Sequence, residues 1–148
     1  MSETAISTDQ KIIVFQLKNK EYAISVEQVS AIEKLQHITR VPRVAPFVKG
    51  VINLRGVVTP IIDLRKRFDL DEMEYSEQTR TIIVSMDNME VGLIVDSAND
   101  VLDISSNSIE PQPEVVGTKE AEFISGVVKH GNRLLNLINL EKVLHPLN

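Results

Sequence analysis

Residues 47–68, FVKGVINLRGVVTPIIDLRKRF, return without a gap as residues 123–144, FISGVVKHGNRLLNLINLEKVL. Phe47/Phe123, Gly50/Gly126, Val51/Val127, Ile62/Ile138, Leu64/Leu140 and Lys66/Lys142 are identical, and most other apolar positions stay apolar. A second echo precedes this one. KIIVFQLKNKEYAISV, from Lys11, and RTIIVSMDNMEVGLIV, from Arg80, both read as an apolar run, a polar turn and a second apolar run. Repetition on this scale makes the chain two copies of one unit, each too small to hold a comfortable core alone.

The unit is β in character. Each copy supplies an opening hairpin, a middle strand or turn, and a closing hairpin, with Gly and Pro at the breaks. Many short strands and little helix predict two small barrels packed together; one continuous sandwich of the same strands is the second choice. In the first copy EQVSAIEKL spaces Val29, Ile32 and Leu35 three apart, which fits a short helix or a bent strand. RVPRVAPF, with two prolines, is an irregular connector. The expected organisation is a polar tail over residues 1–10 and one domain over 11–148. Within it lie a first repeat at about 11–70, an acidic linker DLDEMEYSEQ at about 69–78 and a second repeat at about 79–144.

Several function classes drop out. The absence of cysteine removes disulfides, thiolate metal sites and a Cys nucleophile together. His37, His130 and His145 are isolated in sequence, and the acidic linker lacks the glycine and spacing of a calcium loop, so neither a metal nor a cofactor is expected. No nucleophile elbow, phosphate-binding glycine loop or dinucleotide fingerprint occurs, and an enzyme is not expected. Asp63 and Asp96 each end an apolar strand and are read as caps for the segments that follow. No run approaches a membrane span, and MSETAISTDQ lacks the features of a signal peptide, which predicts a cytoplasmic protein with no membrane insertion.

The net charge of −5 conceals a basic segment. Lys34, Arg40, Arg43, Lys49, Arg55, Arg65, Lys66 and Arg67 face one acid, Asp63, over that stretch. Small barrels that bind single-stranded nucleic acid combine such a groove with stacking aromatics. Aromatics are only 4% of this chain, and Phe47 recurs as Phe123, as a core anchor would. A nucleic-acid binder is therefore the alternative, and a protein–protein module the first reading. A two-lobed β protein offers such a module an inter-lobe groove and free sheet edges.

FVKGVINLRGVVTPIIDLRKRF, preceded by VPRVAPF and IIVFQLKNKEYAISVEQV and followed by VGLIVDSANDVLDI, SIEPQPE and RLLNLINLEKVL, closely resembles the CheW family of bacterial chemotaxis coupling proteins. The likeness runs from about Lys11 to Leu144. It implies an all-β fold with few short helices, two five-stranded SH3-like barrels around a shared hydrophobic core, and no catalysis. It implies as partners the cytoplasmic tip of methyl-accepting chemoreceptors, a helical hairpin, and the regulatory domain of the histidine kinase CheA. Receptor, kinase and adaptor would form arrays beneath the membrane, the free adaptor being a monomer. A CheW-like domain cut from a larger chemotaxis protein would look the same.

Carried over by position, receptor binding falls to Val29, Ile32, Lys49, Asn53 and Arg55 from the first copy and to Val95 and Ala98 from the second. Kinase binding falls to Ile109, Glu110 and Val115. Some family members place an acid two residues after the valine at position 29, where this chain has Ala31. Glu33, two residues on, is then the candidate partner of Arg55. Glu110 likewise stands where some relatives carry a base. In the second copy His130, Gly131 and Asn132 replace Leu54, Arg55 and Gly56, so Arg55 is where the first hairpin departs from shared scaffold. Pro60, unable to donate to a ladder, is expected at a strand edge or bulge.

Overall fold

The structure, a computed structural model, describes residues 9–111 and 118–145. The opening hairpin of the first copy is β1 (Asp9–Leu17) and β2 (Lys20–Ser25). The middle segment is a bent strand: a turn of 3-10 helix at Val26–Gln28, capped by the Ser25 hydroxyl, leads into β3 (Val29–Lys34). The closing hairpin is β4 (Val48–Leu54) and β5 (Val57–Asp63), and α1 (Leu64–Arg67) follows it. The second copy has β6 (Arg80–Met86), β7 (Met89–Val95), β8 (Ser97–Ser105), β9 (Ile109–Glu110), β10 (Ile124–His130), β11 (Arg133–Ile138) and α2 (Leu140–Leu144). Asp9 and Gln10, placed in the tail by sequence, pair with Ser105 and Ile104 in β8.

The local chemistry of the repeat is the same in both copies. Asp63 donates its N–H to the Phe47 carbonyl at 2.9 Å, and Asn139 donates to the Phe123 carbonyl at 2.7 Å. Their side chains then cap α1 and α2, accepting from backbone N–H groups. The four hairpins all turn on two residues whose first member is left-handed: Lys18 (φ 59), Arg55 (φ 51), Asp87 (φ 53) and Gly131 (φ 62). A bulge sits at the same place in β4 and β10, just before Gly50 and Gly126. At Gly50 another backbone comes so close that a Cβ would lie 2.1 Å from the Thr39 carbonyl oxygen. At Gly126 it would lie 2.9 Å from that of Glu110.

The two copies do not form one lobe each. One sheet has the order β8-β1-β2-β11-β10-β9 and the other β3-β6-β7-β5-β4. Each opening hairpin has crossed into the sheet built by the other copy, where it lies between that copy's middle strand and its closing hairpin. The parallel pairings β2–β11 and β5–β7 are the seams. Discounting the two-residue β9, each lobe has five strands, as the resemblance implies.

This exchange explains why the hairpin strands are continuously apolar. On β1, Ile13, Phe15 and Leu17 face a core shared by both lobes, while Ile12 and Val14 face the interior of their own barrel. On β7, Val91, Leu93 and Val95 face the shared core and Ile94 its own barrel. The shared core is the largest of the three among the described residues, and it collects the scarce aromatics. Phe15 stacks on Tyr22 at 5.7 Å, Tyr22 tilts on Phe68 at 5.6 Å, and Phe68 stacks on Phe123 at 5.3 Å. Fully burying each such ring stabilises the fold by about 1.5–3 kcal/mol. Phe123 is buried and Phe47 packs against this core, as the anchors inferred from the repeat should.

Two polar devices lock the lobes together. The Arg67 guanidinium lies 4.2 Å from the Phe47 ring centroid and 4.7 Å from that of Phe123, and donates to the Lys142, Val143 and His145 carbonyls at the C-terminal end of α2. Asp96 corrects the capping expectation. Its segment continues as strand β8, and its carboxylate accepts from Arg65 at 2.8 and 2.5 Å and from the Lys18 N–H at 2.8 Å. Arg65 also donates to the Asp71 carbonyl, so this nearly buried pair joins α1, the β1–β2 turn and the acidic linker. Breaking such a pair costs about 3–5 kcal/mol because one charge is left buried alone.

Pro60 lies within an inner strand, yet where that strand is locally an edge. Pairing of β5 with β7 begins only at Ile61. Val51 opposite exchanges both backbone hydrogen bonds with Thr39, each at 2.8 Å. Nothing therefore asks Pro60 for an N–H.

Candidate functional site

The sheets curl into barrels, and curling builds the first surface. β3 and β4 are opposite edges of their sheet, but Ala31 and Leu35 from one side pack on the same cluster as Ile52 and Leu54 from the other. Closure brings Arg55, on the β4–β5 turn, to within 3.9 Å of Glu33 on β3. With the two side chains 69% and 28% exposed, the pair is a solvated one worth about 0.2–1 kcal/mol. Ile32, next to Glu33 in sequence but on the opposite face of β3, is 41% exposed. Asn53 faces solvent too, and its side-chain oxygen accepts from the Gly56 N–H at 2.8 Å, holding the turn that presents Arg55. Arg55 itself is left-handed, a backbone state that disfavours an L side chain.

The other lobe builds the same feature from different residues. Arg133, at the β10–β11 turn, pairs with Glu21 at 2.7 Å and Asp100 at 2.8 Å. Hydrogen bonding to Arg133 holds the Glu21 carboxyl below its ordinary value of 4.5. Asp100 lies on β8, which flanks the borrowed hairpin as β3 does in the first lobe. The second copy thus keeps an acid on that strand, while the first has shifted it to Glu33.

The remaining residues assigned to receptor binding divide by position. Val29 on β3 and Ala98 on β8 pack against the shared core from different lobes and are partly exposed. Lys49 is the bulged residue of β4, four positions before Asn53, and its ammonium lies 3.8 Å from Glu72 of the linker. Val95 is 1% exposed and points into the shared core, so its side chain offers nothing to a partner in this conformation. Of the kinase-binding set, Ile109 is half-buried and Glu110 exposed, both on β9 at the edge of the first sheet. Val115 lies outside the described residues.

Sequence reasoning missed the most exposed apolar side chains among the described residues. Val58 (66%), Val101 (59%), Val57 (55%) and Leu134 (50%) stand out from the two barrels. The repeat held the signal, because Val58 and Leu134 are equivalent positions in its alignment. Stacking surface is scarce: among the described residues Tyr75 is the only exposed aromatic, and its hydroxyl donates to Asp63. The single-strand binding alternative therefore has no platform among these residues. No described group of three or more His, Asp or Glu could hold a metal, and no described helix is long and apolar enough to cross a membrane.

Comparison with known proteins places this architecture. The CheW-like domain family matches residues 11–147. Chemotaxis protein CheW of Bacillus subtilis is 54% identical over 94% of this chain and 89% of its own. Chemotaxis protein CheW of Klebsiella aerogenes is 38% identical over 91% of this chain and 81% of its own. The crystal structure of scaffolding protein TtCheW from Thermoanaerobacter tengcongensis superposes with a TM-score of 0.87 at 36% identity, covering 93% of this chain and 94% of that one. On sequence, topology and hairpin placement together, the chain belongs to the CheW family of chemotaxis proteins.

Proposed function

We propose that this protein is a chemotaxis adaptor that couples the cytoplasmic tip of methyl-accepting receptors to the regulatory domain of the CheA histidine kinase, without catalysis of its own. The observation that carries this reading is family membership across the whole described domain, with a scaffolding protein as structural neighbour. The adaptor works in the cytoplasm and is recruited to receptor clusters at the inner face of the membrane.

The surfaces suit that work. A helical receptor tip needs an elongated apolar seat with a few charges to set its register. Partly exposed Val29 and Ala98, packed against the shared core from the two lobes, and exposed Ile32 support such a seat, and the Glu33–Arg55 pair supplies charge near it. The kinase domain, a barrel pair of related build, suits the far edge at Ile109 and Glu110 and the exposed valines and leucine of the barrels. Val29, Ile32 and Arg55 lie in the lobe of β3 and β4 and Ile109 and Glu110 in that of β9, which allows one adaptor to hold both partners at once.

The test is co-sedimentation of the full chain with receptor cytoplasmic fragments and the kinase regulatory domain. A ternary complex is expected, in which Ile32→Asp loses receptor alone and Ile109→Asp loses kinase alone. Failure of the unaltered protein to join the two partners would overturn the proposal.

A further inference from the structure

The connector between β3 and β4 borders a cavity of about 290 Å3 whose described lining holds four cations and no acid. Arg40 and Arg43 come from the connector, Lys49 from the β4 bulge and Lys66 from α1. Four positive charges around one concavity repel one another unless something neutralises them. Among the described residues one carboxylate pairs with them. Glu72, 62% exposed on the linker, lies 3.8 Å from the Lys49 ammonium and 3.5 Å from that of Lys66. Arg40 and Arg43 form no hydrogen bond or ion pair among the described residues.

Arg43 is held in an unfavourable backbone state. It follows Pro42 in a turn and has φ +63, a position suited to Gly or Asn. An L side chain kept there at a cost in stability points to a use for the guanidinium. Val41 and Val44 alternate with the arginines and are 37% and 42% exposed, so apolar surface is interleaved with the charge.

We infer that this cavity docks an acidic, extended segment of a partner protein. Carboxylates of the segment pair with Arg40 and Arg43, apolar side chains between them rest on Val41 and Val44, and the far end of the segment competes with Glu72 for Lys49 and Lys66. A protein segment fits better than a broad polyanion because the carboxylate that already pairs with Lys49 and Lys66 is a protein one, and because exposed Val41 and Val44 give apolar side chains a place between the charges. This site goes beyond the coupling role, and its test contains neither receptor nor kinase, so failure here leaves that role untouched.

The test is a fluorescence-anisotropy titration of the full chain into a labelled peptide, DLDEMEYSEQ, which copies the chain's own linker. Saturable, salt-sensitive binding is expected, weakened about tenfold or more in the Arg40→Glu/Arg43→Glu double variant. Glu72→Gln, which removes the internal competitor, is expected to tighten it severalfold. Arg43→Gly is expected to weaken binding while raising the melting temperature, a combination that a purely structural arginine would not give. Unchanged affinity in the double variant overturns the proposal, as does no saturable binding up to about 1 mM peptide. Tighter binding of oligo-thymidine or of anionic-lipid vesicles than of the peptide overturns it as well.

Discussion

Arg55→Asn separates docking from folding at the β4–β5 turn. Two opposing terms set its effect on stability. The Glu33 contact, at 3.9 Å with Arg55 69% exposed, contributes about 0.2–1 kcal/mol that the variant loses. Against this, an L-residue at φ 51 costs roughly 1 kcal/mol, and Asn followed by Gly is the preferred pair for a two-residue turn of this kind. The terms nearly cancel, so the melting temperature should move by about 2 °C or less. Receptor binding has no such compensation. A rim charge is worth about 1 kcal/mol and a desolvated one several, so affinity should fall about 5- to 150-fold. Thermal unfolding followed by optical spectroscopy gives the first quantity, and sedimentation with a receptor fragment, corrected for folded fraction, gives the second. Loss of more than about 2 kcal/mol of stability with normal binding per folded molecule would refute the reasoning and make Arg55 a scaffold residue.

The two equivalent glycines should differ. Gly50→Ala combines φ +146 with a Cβ only 2.1 Å from a carbonyl oxygen, and is expected to cost about 2–4 kcal/mol in urea unfolding. Gly126→Ala meets its neighbour at 2.9 Å and is expected to cost about 1–2 kcal/mol; equal costs would contradict the structure. Acid should loosen the Glu21–Arg133 pair. Because the folded carboxyl titrates below 4.5, its stabilisation is complete above that pH and is lost as pH falls through the lowered folded value. Glu21→Gln should therefore flatten that part of the melting temperature against pH curve, and an unaltered slope would show the pair to be inert. Halves 1–74 and 75–148, expressed separately, should each lack the spectrum of the native fold and recover it on mixing, since each lobe draws strands from both. Independent folding of either half would rule that out.

Much of the fold was legible because its signals are local. The offset of 76 between Phe47 and Phe123 carried both closing hairpins, and the end of an apolar run carried the cap at Asp63, since these depend on residues a few positions apart. Val29, Ile32 and Leu35 fit a short helix or a bent strand alike, because a three-residue spacing satisfies either until β3 finds β6. Docking residues were less legible. Burial of Val95 and exposure of Ile32 both occur within strands rich in Val and Ile, where composition does not say which face is outside. The pairing of Arg65 with Asp96 spans 31 residues, and nothing in either neighbourhood announces it.

By itself the sequence determined that there are two copies of one β unit, where their turns fall, and that they need a common core. It did so through hydrophobic periodicity, glycine and proline, which act over a few residues. Only the tertiary structure decided that the opening hairpins exchange lobes. A strand buried on both faces reads as one apolar run whichever sheet receives it, and the choice rests on long-range pairing and on how the aromatics fill the shared core. The same exchange packs Val29 and Ala98, from different lobes, against one shared core, and barrel closure sets Glu33 against Arg55.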